Sequence, residues 1–449
     1  MKPVVFTKLS VMMLLEYFIW GAWYVTMGTY MSEFLKSSGV QIGAAYSALA
    51  IATMISPFFV GMVADRFFAA QRIMGVLHIL GAVLLYFAIQ ITDNTAFYWV
   101  IVVYSLLYMP TIALSNSIAF QQMTDPGKQF PWIRVFGTLG WIVAGFMIGN
   151  LGIEKTEHTF EMAAIASLAL GLISFILPHT PPKGSSTESI TNSKAWSLLE
   201  MKPSRNLILI AVLIIVPLVI RAGILDSLLS LLNLYNDQNK LIAILILSVL
   251  VILFIPFLFT SKSRSYVIFL LSAILVCIPL SFYYGFANLF LNEAGMDNAA
   301  GKMILGQVSE AVFILAIPFL FNNIGVKNML LLGMVAWVLR YVCFAFGNAD
   351  ANLWMLYLGI ILHGICYDFF FVTGYMYTEK KAGAKIKNAA QGLFTFATYG
   401  VGMFIGSLFS GQVVDSYTSN NEHQWKEIWF VPAYIAVGVM IYFIFFFKE

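Results

Sequence analysis

The sequence predicts an all-α integral membrane protein that crosses the bilayer many times. Of its 449 residues, 60% are hydrophobic and only 10% are charged, whereas about a quarter of the residues of a soluble domain are charged. Apolar runs of roughly 20 residues, long enough to cross about 30 Å of hydrocarbon, recur along almost the whole chain. These runs are too long and too continuous for barrel strands, so helices are the structure that satisfies the backbone in lipid.

Fourteen apolar runs can be counted. Six lie near 7–31, 43–63, 73–93, 97–121, 133–151 and 161–178. A polar stretch, 179–206, is rich in Ser, Thr, Pro and Lys and is predicted to be a linker. Eight more runs lie near 207–232, 241–260, 266–291, 301–321, 328–346, 353–378, 388–414 and 428–447. The first run is longer than the core of a signal peptide, so we expect it to remain as the first span.

The distribution of basic residues supports this count. With the N-terminus in the cytoplasm, the inner loops contain seventeen lysines and arginines, the outer loops contain five, and three lie inside spans. Such an excess on one side is typical of cytoplasmic loops. We therefore expect both termini to be cytoplasmic.

Several functional classes are disfavoured by composition. The net charge is only +3 and the basic residues are scattered among loops, so nucleic-acid binding is not expected. The three cysteines, Cys277, Cys343 and Cys366, lie inside apolar runs and are expected to be packing residues. The sequence contains no metal-ligand cluster, nucleophile elbow or phosphate-binding loop. A membrane enzyme or a non-transporting receptor is therefore disfavoured, and we expect neither a metal nor a cofactor.

The loop after the second run reads GMVADRFFAAQR and contains Gly61, Asp65, Arg66 and Arg72. It resembles the gating motif of the major facilitator superfamily, at the position where that motif occurs. A glycine allows two helices to approach closely, and an acid near a helix N-terminus, paired with a basic residue, would latch one conformation. The alternative is an ordinary charged loop. The corresponding loop of the second half, 322–329, lacks the acid, so any latch is asymmetric.

The superfamily resemblance implies two six-helix bundles around a central site. Fourteen spans exceed twelve by two, and the surplus pair is assigned to an insertion directly after the linker. The predicted organisation is an N-terminal six-helix bundle (1–178), a cytoplasmic linker (179–206), an inserted two-helix hairpin (207–260) and a C-terminal six-helix bundle (261–449).

A narrower resemblance rests on seven blocks of sequence. They are WGAWYVTMGTYM (20–31), IGAAYSALAIA (42–52), YMPTIALSNSIAF (108–120), FPWIRVFGTLGW (130–141), GQVSEAVFILAIPF (306–319), VAWVLRYVCFAFG (335–347) and YDFFFVTGYMY (367–377). The blocks are similar to those of the bacterial nucleoside:proton symporter family and occur in the family's order. This resemblance implies a monomeric, multi-pass carrier of the cytoplasmic (inner) membrane that imports nucleosides with protons by alternating access.

Polar residues within spans are costly in lipid and usually face the interior of the bundle. By their spacing, one triplet and two pairs of residues each share a helical face. The triplet is Arg134, Thr138 and Trp141, and the pairs are Gln307 with Glu310 and His363 with Tyr367. Together they would suit a nucleoside, because an aromatic ring can stack on the base while arginine, amide and carboxylate groups bind its polar atoms.

The family resemblance implies that these seven residues line the substrate cavity. The family commonly has Phe, Tyr and Phe at the positions of Trp141, His363 and Tyr367. Amides expected on the run 266–291 are replaced near the aligned positions by Ser281 and Tyr284, with Asn288 one turn further. We include Tyr284 and Asn288 in the predicted site. The extra imidazole and phenol favour a purine, a modified nucleoside or another ribosyl compound.

Five of these residues have a structural alternative, which for Gln307 is an interhelical hydrogen bond. Arg134 could extend from the loop that precedes it, Trp141 and Tyr367 could be packing residues, and Glu310 could form a structural salt bridge with Arg134.

Two acids within the predicted spans are candidates for proton coupling, and a third is expected to be structural. Glu310 is the first candidate for the coupling proton, because a carboxyl that alternately meets water, substrate and Arg134 can be loaded and unloaded. Glu16 in the first run is the second candidate, or it could pair with a cation. Arg340 and Asp368 are predicted to form a structural ion pair.

Two other transport functions stay open. The chain could carry another polar solute, such as a sugar or a related ribosyl compound, or it could export drugs. An exporter would be expected to have an apolar cavity, whereas several polar residues map to the cavity here.

Overall fold

Helices make up nearly all of the computed structural model, which describes residues 2–59, 68–182, 259, 261–383, 386–420 and 422–448. The N-terminal half contains α1 (Pro3–Trp23), α2 (Met27–Glu33), α3 (Gly39–Phe59), α4 (Ala70–Ala88), α5 (Asn94–Gln121), α6 (Pro126–Leu151) and α7 (His158–Ser174). The C-terminal half contains α8 (Ser261–Glu293), α9 (Ala299–Phe346), α10 (Leu353–Ile361), α11 (His363–Tyr367), α12 (Thr373–Ala382), α13 (Lys387–Thr395), α14 (Met403–Ser416) and α15 (Trp425–Phe446).

The prediction of an all-helical membrane protein is confirmed. The described ranges contain eleven helical segments long and apolar enough to cross a membrane, and α7 is a shorter apolar helix. Together they coincide with the first six and the last six predicted runs. The runs 207–232 and 241–260, and with them nearly all of the predicted inserted hairpin, lie outside the described residues. The total of fourteen spans therefore stays a prediction.

Local sequence explains where several helices begin and end. The Asp93 side chain accepts a hydrogen bond from the Ala96 amide, 2.7 Å away, at the start of α5. Asn298 does the same for Gly301 at the start of α9, over 3.1 Å. Both are side-chain caps for amides that lack a partner in the first turn. After the last turn of α6, Gly152 adopts a left-handed conformation with φ 64°, which glycine accepts readily.

Three helical segments of the C-terminal half depart from regular geometry. Gly325 (φ 75°, ψ 167°) bends α9 between two candidate spans, Ala299–Ile317 and Asn323–Phe346, which we call its first and second limbs. A π-helical stretch, Asp368–Val372, links α11 to α12, and another, Phe396–Gly402, links α13 to α14. Such stretches often occur at functional sites.

The two halves meet where small residues allow close approach. Helix α3 packs on α14 and α6 packs on α9. A Cβ atom on Gly43 would collide with the Ser407 carbonyl oxygen of α14, so the backbones touch there. In membranes this close packing is a main source of helix association. These two contacts frame a central space between the halves.

The helix ends define two sides of the bundle. The side that holds Pro3 and Phe446 is called the terminus side, and the other is called the opposite side. A two-residue antiparallel hairpin, β1 (Thr418–Ser419) with β2 (Glu422–His423), connects α14 to α15 on the opposite side.

Candidate functional site

A cavity of about 490 Å³ lies between the two halves. Its volume is in the range of small-molecule sites. Its walls include eight of the nine predicted substrate-binding residues: Arg134, Thr138, Trp141, Tyr284, Gln307, Glu310, His363 and Tyr367. Sequence reasoning missed a second group of lining aromatics, namely Tyr17, Trp20, Tyr24, Tyr46, Tyr375 and Tyr399. The cavity is therefore both aromatic and rich in hydrogen-bonding groups.

The N-terminal half contributes a cation and two indole rings. The Arg134 guanidinium carbon lies 4.0 Å from the centroid of the Tyr17 ring, a cation–π geometry that holds the charge beside the cavity. Trp141 packs edge to face against Trp20, with ring centroids 5.6 Å apart. The predicted shared face of Arg134, Thr138 and Trp141 thus faces the cavity.

The C-terminal half contributes a carboxylate, an imidazole and phenols. The Glu310 side chain is 28% exposed, and its Oε2 lies 3.9 Å from His363 Nε2. The hydroxyl groups of Tyr367 and Tyr399 are hydrogen-bonded to each other. The considered salt bridge between Arg134 and Glu310, both within the described chain, is not formed. The two side chains come from different halves, and the Arg134 charge lies over Tyr17 instead.

Arg340 lies behind the cavity wall. It is fully buried, its Nη1 is 3.0 Å from His363 Nδ1, and its guanidinium carbon is 3.4 Å from the centroid of the Tyr283 ring. The predicted ion pair with Asp368 is wrong, because both Asp368 carboxyl oxygens are buried without a hydrogen-bond partner among the residues that the structure describes. Asp368 follows His363 by five residues, which is about 7.5 Å along a helix. An arginine that reaches His363 therefore does not reach Asp368.

Glu16 lies one layer away from the cavity rather than in its wall. Its Oε2 is 3.0 Å from His78 Nε2, and its Oε1 accepts a hydrogen bond of 2.7 Å from Thr111 Oγ1. The other ring nitrogen of His78 is 3.1 Å from Ser167 Oγ. These contacts connect α1, α4, α5 and α7. The sequence alternative in which Glu16 pairs with a basic side chain agrees with this arrangement.

Asn288 does not line the cavity, so its predicted place in the site is corrected. It is buried one turn beyond Tyr284, toward the opposite side. Its amide nitrogen donates to Glu154 Oε2 over 3.1 Å, and its amide oxygen accepts from Thr29 Oγ1 over 2.5 Å. Glu154 Oε2 also accepts from the Ala300 amide, 2.8 Å away. Asn288 thus belongs to a set of hydrogen bonds that joins the two halves.

A second set of bonds joins the halves on the same side. The Asp415 carboxylate of α14 accepts hydrogen bonds from the amides of Gly39 and Val40, the latter over 2.9 Å, at the start of α3. In the other direction the cavity reaches Ser56 and Asn116, which lie near the terminus-side ends of α3 and α5. The cavity is therefore closed toward the opposite side and extends toward the terminus side.

Of the predicted gating motif, only Arg72 lies in the described chain, where it is exposed near the start of α4. Gly61, Asp65 and Arg66 lie outside the described residues.

Comparisons with known proteins agree on one family. The profile described as "Nucleoside H+ symporter" matches residues 4–264 and 254–449. Three proteins of Escherichia coli strain K12 are similar over 98% of this chain. The candidate nucleoside transporter YegT is 36% identical over 93% of its length, the xanthosine permease 32% over 95%, and the nucleoside permease NupG 30% over 95%.

Solved structures give the same answer. The crystal structure of NupG superposes with a TM-score of 0.79 at 28% identity, covering 99% of each chain. The POT family transporter PepTSo, with a TM-score of 0.71 at 15% identity over 99% of this chain and 98% of its own, shows the shared fold alone. With the family profile matched over nearly its whole length, the chain belongs to the nucleoside H+ symporter family.

Proposed function

We propose that this protein imports nucleosides together with protons across the cytoplasmic membrane of a bacterium. Membership of the nucleoside H+ symporter family supports the activity, and the named relatives include a xanthosine permease and a nucleoside permease. The observation that carries the proposal is the central cavity, because it presents stacking surfaces and hydrogen-bonding groups from both halves. Transport, not catalysis, is the role that this cavity and family support.

The lining residues suggest how a nucleoside would be held. Trp141, backed by Trp20, offers an aromatic face for the base. Arg134 and Gln307 offer donors for its carbonyl oxygens and ring nitrogens, and Glu310 offers an acceptor for sugar hydroxyls. A drug exporter would be expected to have fewer convergent polar groups.

The proposed architecture is that of a major facilitator with an insertion. Two six-helix bundles, 1–178 and 261–449, would be joined by the linker 179–206 and the hairpin 207–260, which gives fourteen spans. The excess of basic residues in alternate loops supports cytoplasmic termini. One chain contains the whole cavity, which is in keeping with a monomeric carrier.

Alternating access then takes a specific form. The terminus side would face the cytoplasm, so the structure corresponds to an inward-facing state. To expose the cavity to the outside, the two halves must separate at Glu154 and Asp415, whose hydrogen bonds join them. Rocking of one bundle against the other about the central site is the motion that this fold favours.

Three acids within the spans, Glu310, Glu16 and Asp368, are not equal candidates for the coupling proton. Glu310 faces the cavity, where water and substrate can both reach it. Glu16 is held by His78 and Thr111 within one half. Asp368 is buried beside the lining residue Tyr367 and has no hydrogen-bond partner in the described part of the chain, which makes it a further candidate that the sequence did not single out. Glu310 remains the first choice because it can meet both transported species.

The test is uptake of labelled uridine by proteoliposomes under an imposed pH gradient. We expect Glu310→Gln to abolish accumulation above equilibrium, down to the level seen with a protonophore, while uridine exchange continues with weaker affinity. Glu161→Gln is the control, since Glu161 is exposed and bonded to His158 of its own helix. Unchanged accumulation by Glu310→Gln would remove it as the coupling residue.

Competition in the same assay tests the substrate class. An excess of unlabelled nucleosides should suppress uptake, whereas sugars and free bases should not. Inhibition by sugars with no effect of nucleosides would instead favour the carrier for another polar solute.

A further inference from the structure

Arg340 and His363 form a buried contact that ends at the cavity wall. Both side chains are at most 1% exposed. The Tyr283 ring lies under the Arg340 guanidinium and is stacked on the His363 imidazole, with ring centroids 5.0 Å apart and planes inclined by 24°. Arg340 does not line the cavity, but His363 does. The orientation of the imidazole is therefore set by two residues behind the wall.

The contact with Arg340 also determines which ring nitrogen of His363 carries the hydrogen. A guanidinium stays charged in proteins and offers only donors. At 3.0 Å from Arg340 Nη1, His363 Nδ1 must be the acceptor, and a neutral imidazole with an acceptor at Nδ1 carries its hydrogen at Nε2. A doubly protonated ring would place two donors and two positive charges against each other. The cavity is thus offered an Nε2–H donor.

A carboxylate acceptor stands beside this donor. Glu310 Oε2 is 3.9 Å from His363 Nε2, too far for a direct hydrogen bond. One oxygen atom at about 2.8 Å from each would bridge them at an angle of about 90°, which suits a hydroxyl group that accepts from Nε2–H and donates to the carboxylate. The amide edge of a base would meet the pair less well, because its two polar atoms lie side by side.

We propose that Arg340 is a positioning residue that holds His363 as an Nε2–H donor, and that His363 and Glu310 share one ribose hydroxyl of the substrate. The inference rests on the proposed nucleoside transport and adds its sugar specificity. It predicts selection for a ribosyl compound over the deoxy analogue that lacks the shared hydroxyl. His363 thereby determines specificity, and Arg340 acts through it.

Two substitutions of His363 separate its functions. In His363→Gln an amide N–H can occupy the position of Nε2 and preserve the donor to the cavity. In His363→Asn a carbonyl oxygen can replace Nδ1 and keep the partner of Arg340, but the donor to the cavity is lost. This pair is matched in chemistry and differs in which end of the imidazole is replaced.

The measurement is competition of 2′-deoxyuridine and of 3′-deoxyuridine against labelled uridine uptake. We expect the protein to prefer uridine by roughly tenfold over one of the two analogues, as for loss of one hydrogen bond to a charged site. His363→Asn should reduce this preference to about twofold or less, and His363→Gln should keep most of it. Because the readout is a ratio, a variant with less folded protein gives the same value.

The positioning role of Arg340 has its own readout. In protein labelled with ¹⁵N-histidine, the His363 resonances, assigned by their absence in His363→Asn, should report a hydrogen on Nε2. In Arg340→Met the ring should populate both neutral tautomers, and the apparent KM for uridine should rise more than the maximal rate falls. A His363 hydrogen on Nδ1 in the unsubstituted protein would overturn the assignment.

The outcomes distinguish the two proposals. If the protein moves no nucleoside, the proposed function fails, while the tautomer measurement still decides the role of Arg340. If uridine is transported and His363→Asn keeps the full preference against both deoxy analogues, the shared hydroxyl is refuted and the proposed function stands.

Discussion

Glu16 of the N-terminal half and Asp368 of the C-terminal half are both buried outside the cavity wall, and the two halves hold these carboxyl groups differently. In the N-terminal half, Glu16 has partners at both oxygens, His78 at 3.0 Å and Thr111 at 2.7 Å. In the C-terminal half, both oxygens of Asp368 are buried, and no described residue forms a hydrogen bond with them. Native proteins satisfy nearly all buried polar groups, and exceptions tend to be functional. We therefore infer that Glu16 stabilises the fold, whereas Asp368 is a candidate for a role in transport.

The basic partners follow the same division. His78 uses both ring nitrogens within its half, toward Glu16 and Ser167. Among the described residues, the Arg340 guanidinium has a hydrogen-bond contact with His363, while its Nε and Nη2 have no partner. Glu16 and His78 thus connect helices within the N-terminal half. Arg340 instead connects the interior of the C-terminal half to His363 at the cavity wall.

The largest expected effect on stability comes from removing Glu16, the buried acid whose two oxygens both have partners. Glu16→Ala leaves His78 and Thr111 buried without their partner, which should cost about 3 kcal/mol of unfolding free energy. The measurement is reversible unfolding of the purified protein in mixed micelles. An unfolding free energy equal to that of the unsubstituted protein would show that the network does not stabilise the N-terminal half.

Glu16→Gln provides the matched control. An amide can still accept from Thr111 and donate to His78 once the imidazole changes tautomer, so we expect a loss within about 1 kcal/mol. Proton-driven uridine accumulation should also persist. Loss of accumulation in a stable Glu16→Gln protein would return Glu16 to the position of proton carrier.

Sequence could supply the helices and one face of the cavity, because both depend on local spacing. The apolar runs predicted the described spans, and the i, i+4, i+7 pattern placed Arg134, Thr138 and Trp141 on one side of α6.

Partners from distant helices could not be read in this way. Hydropathy fixes neither the order nor the rotation of helices in a bundle, so the pairing of Arg340 with His363 in place of Asp368 was not predictable. Asn288 shows the same limit along the helix axis. It shares a face with Tyr284, but one further turn places it where the halves meet.

A smaller effect, on the equilibrium between closed and open states, is expected from removing the Glu154 carboxylate that joins the two halves. Glu154 belongs to the N-terminal half, yet it accepts its hydrogen bonds from Asn288 and Ala300 of the C-terminal half. Glu154→Ala removes these bonds only from the closed state, so it should shift the equilibrium by about 1.4 kcal/mol, or tenfold, toward opening on that side.

Spin labels can be attached at Thr95→Cys and Glu427→Cys, both exposed on the opposite side. The shift is then measured as a larger population of the longer distance between the two labels. The three native cysteines are buried and should label poorly. Glu161→Ala is the control, because Glu161 bonds only to His158 of α7 among the contacts resolved in the described chain. Equal shifts of the distance distribution in Glu154→Ala and Glu161→Ala would show that Glu154 does not specifically hold the opposite side closed.

The smallest expected effect on stability comes from replacing the carboxyl group of Asp368. Asp368→Asn removes a carboxyl group to which no described residue is hydrogen-bonded, so the unfolding free energy should stay within about 1 kcal/mol of the original. If Asp368 carries a transported proton, the same variant should lose accumulation under a pH gradient and retain exchange. A loss of stability as large as that of Glu16→Ala would show that Asp368 is also a scaffold residue, and the contrast between the halves would disappear.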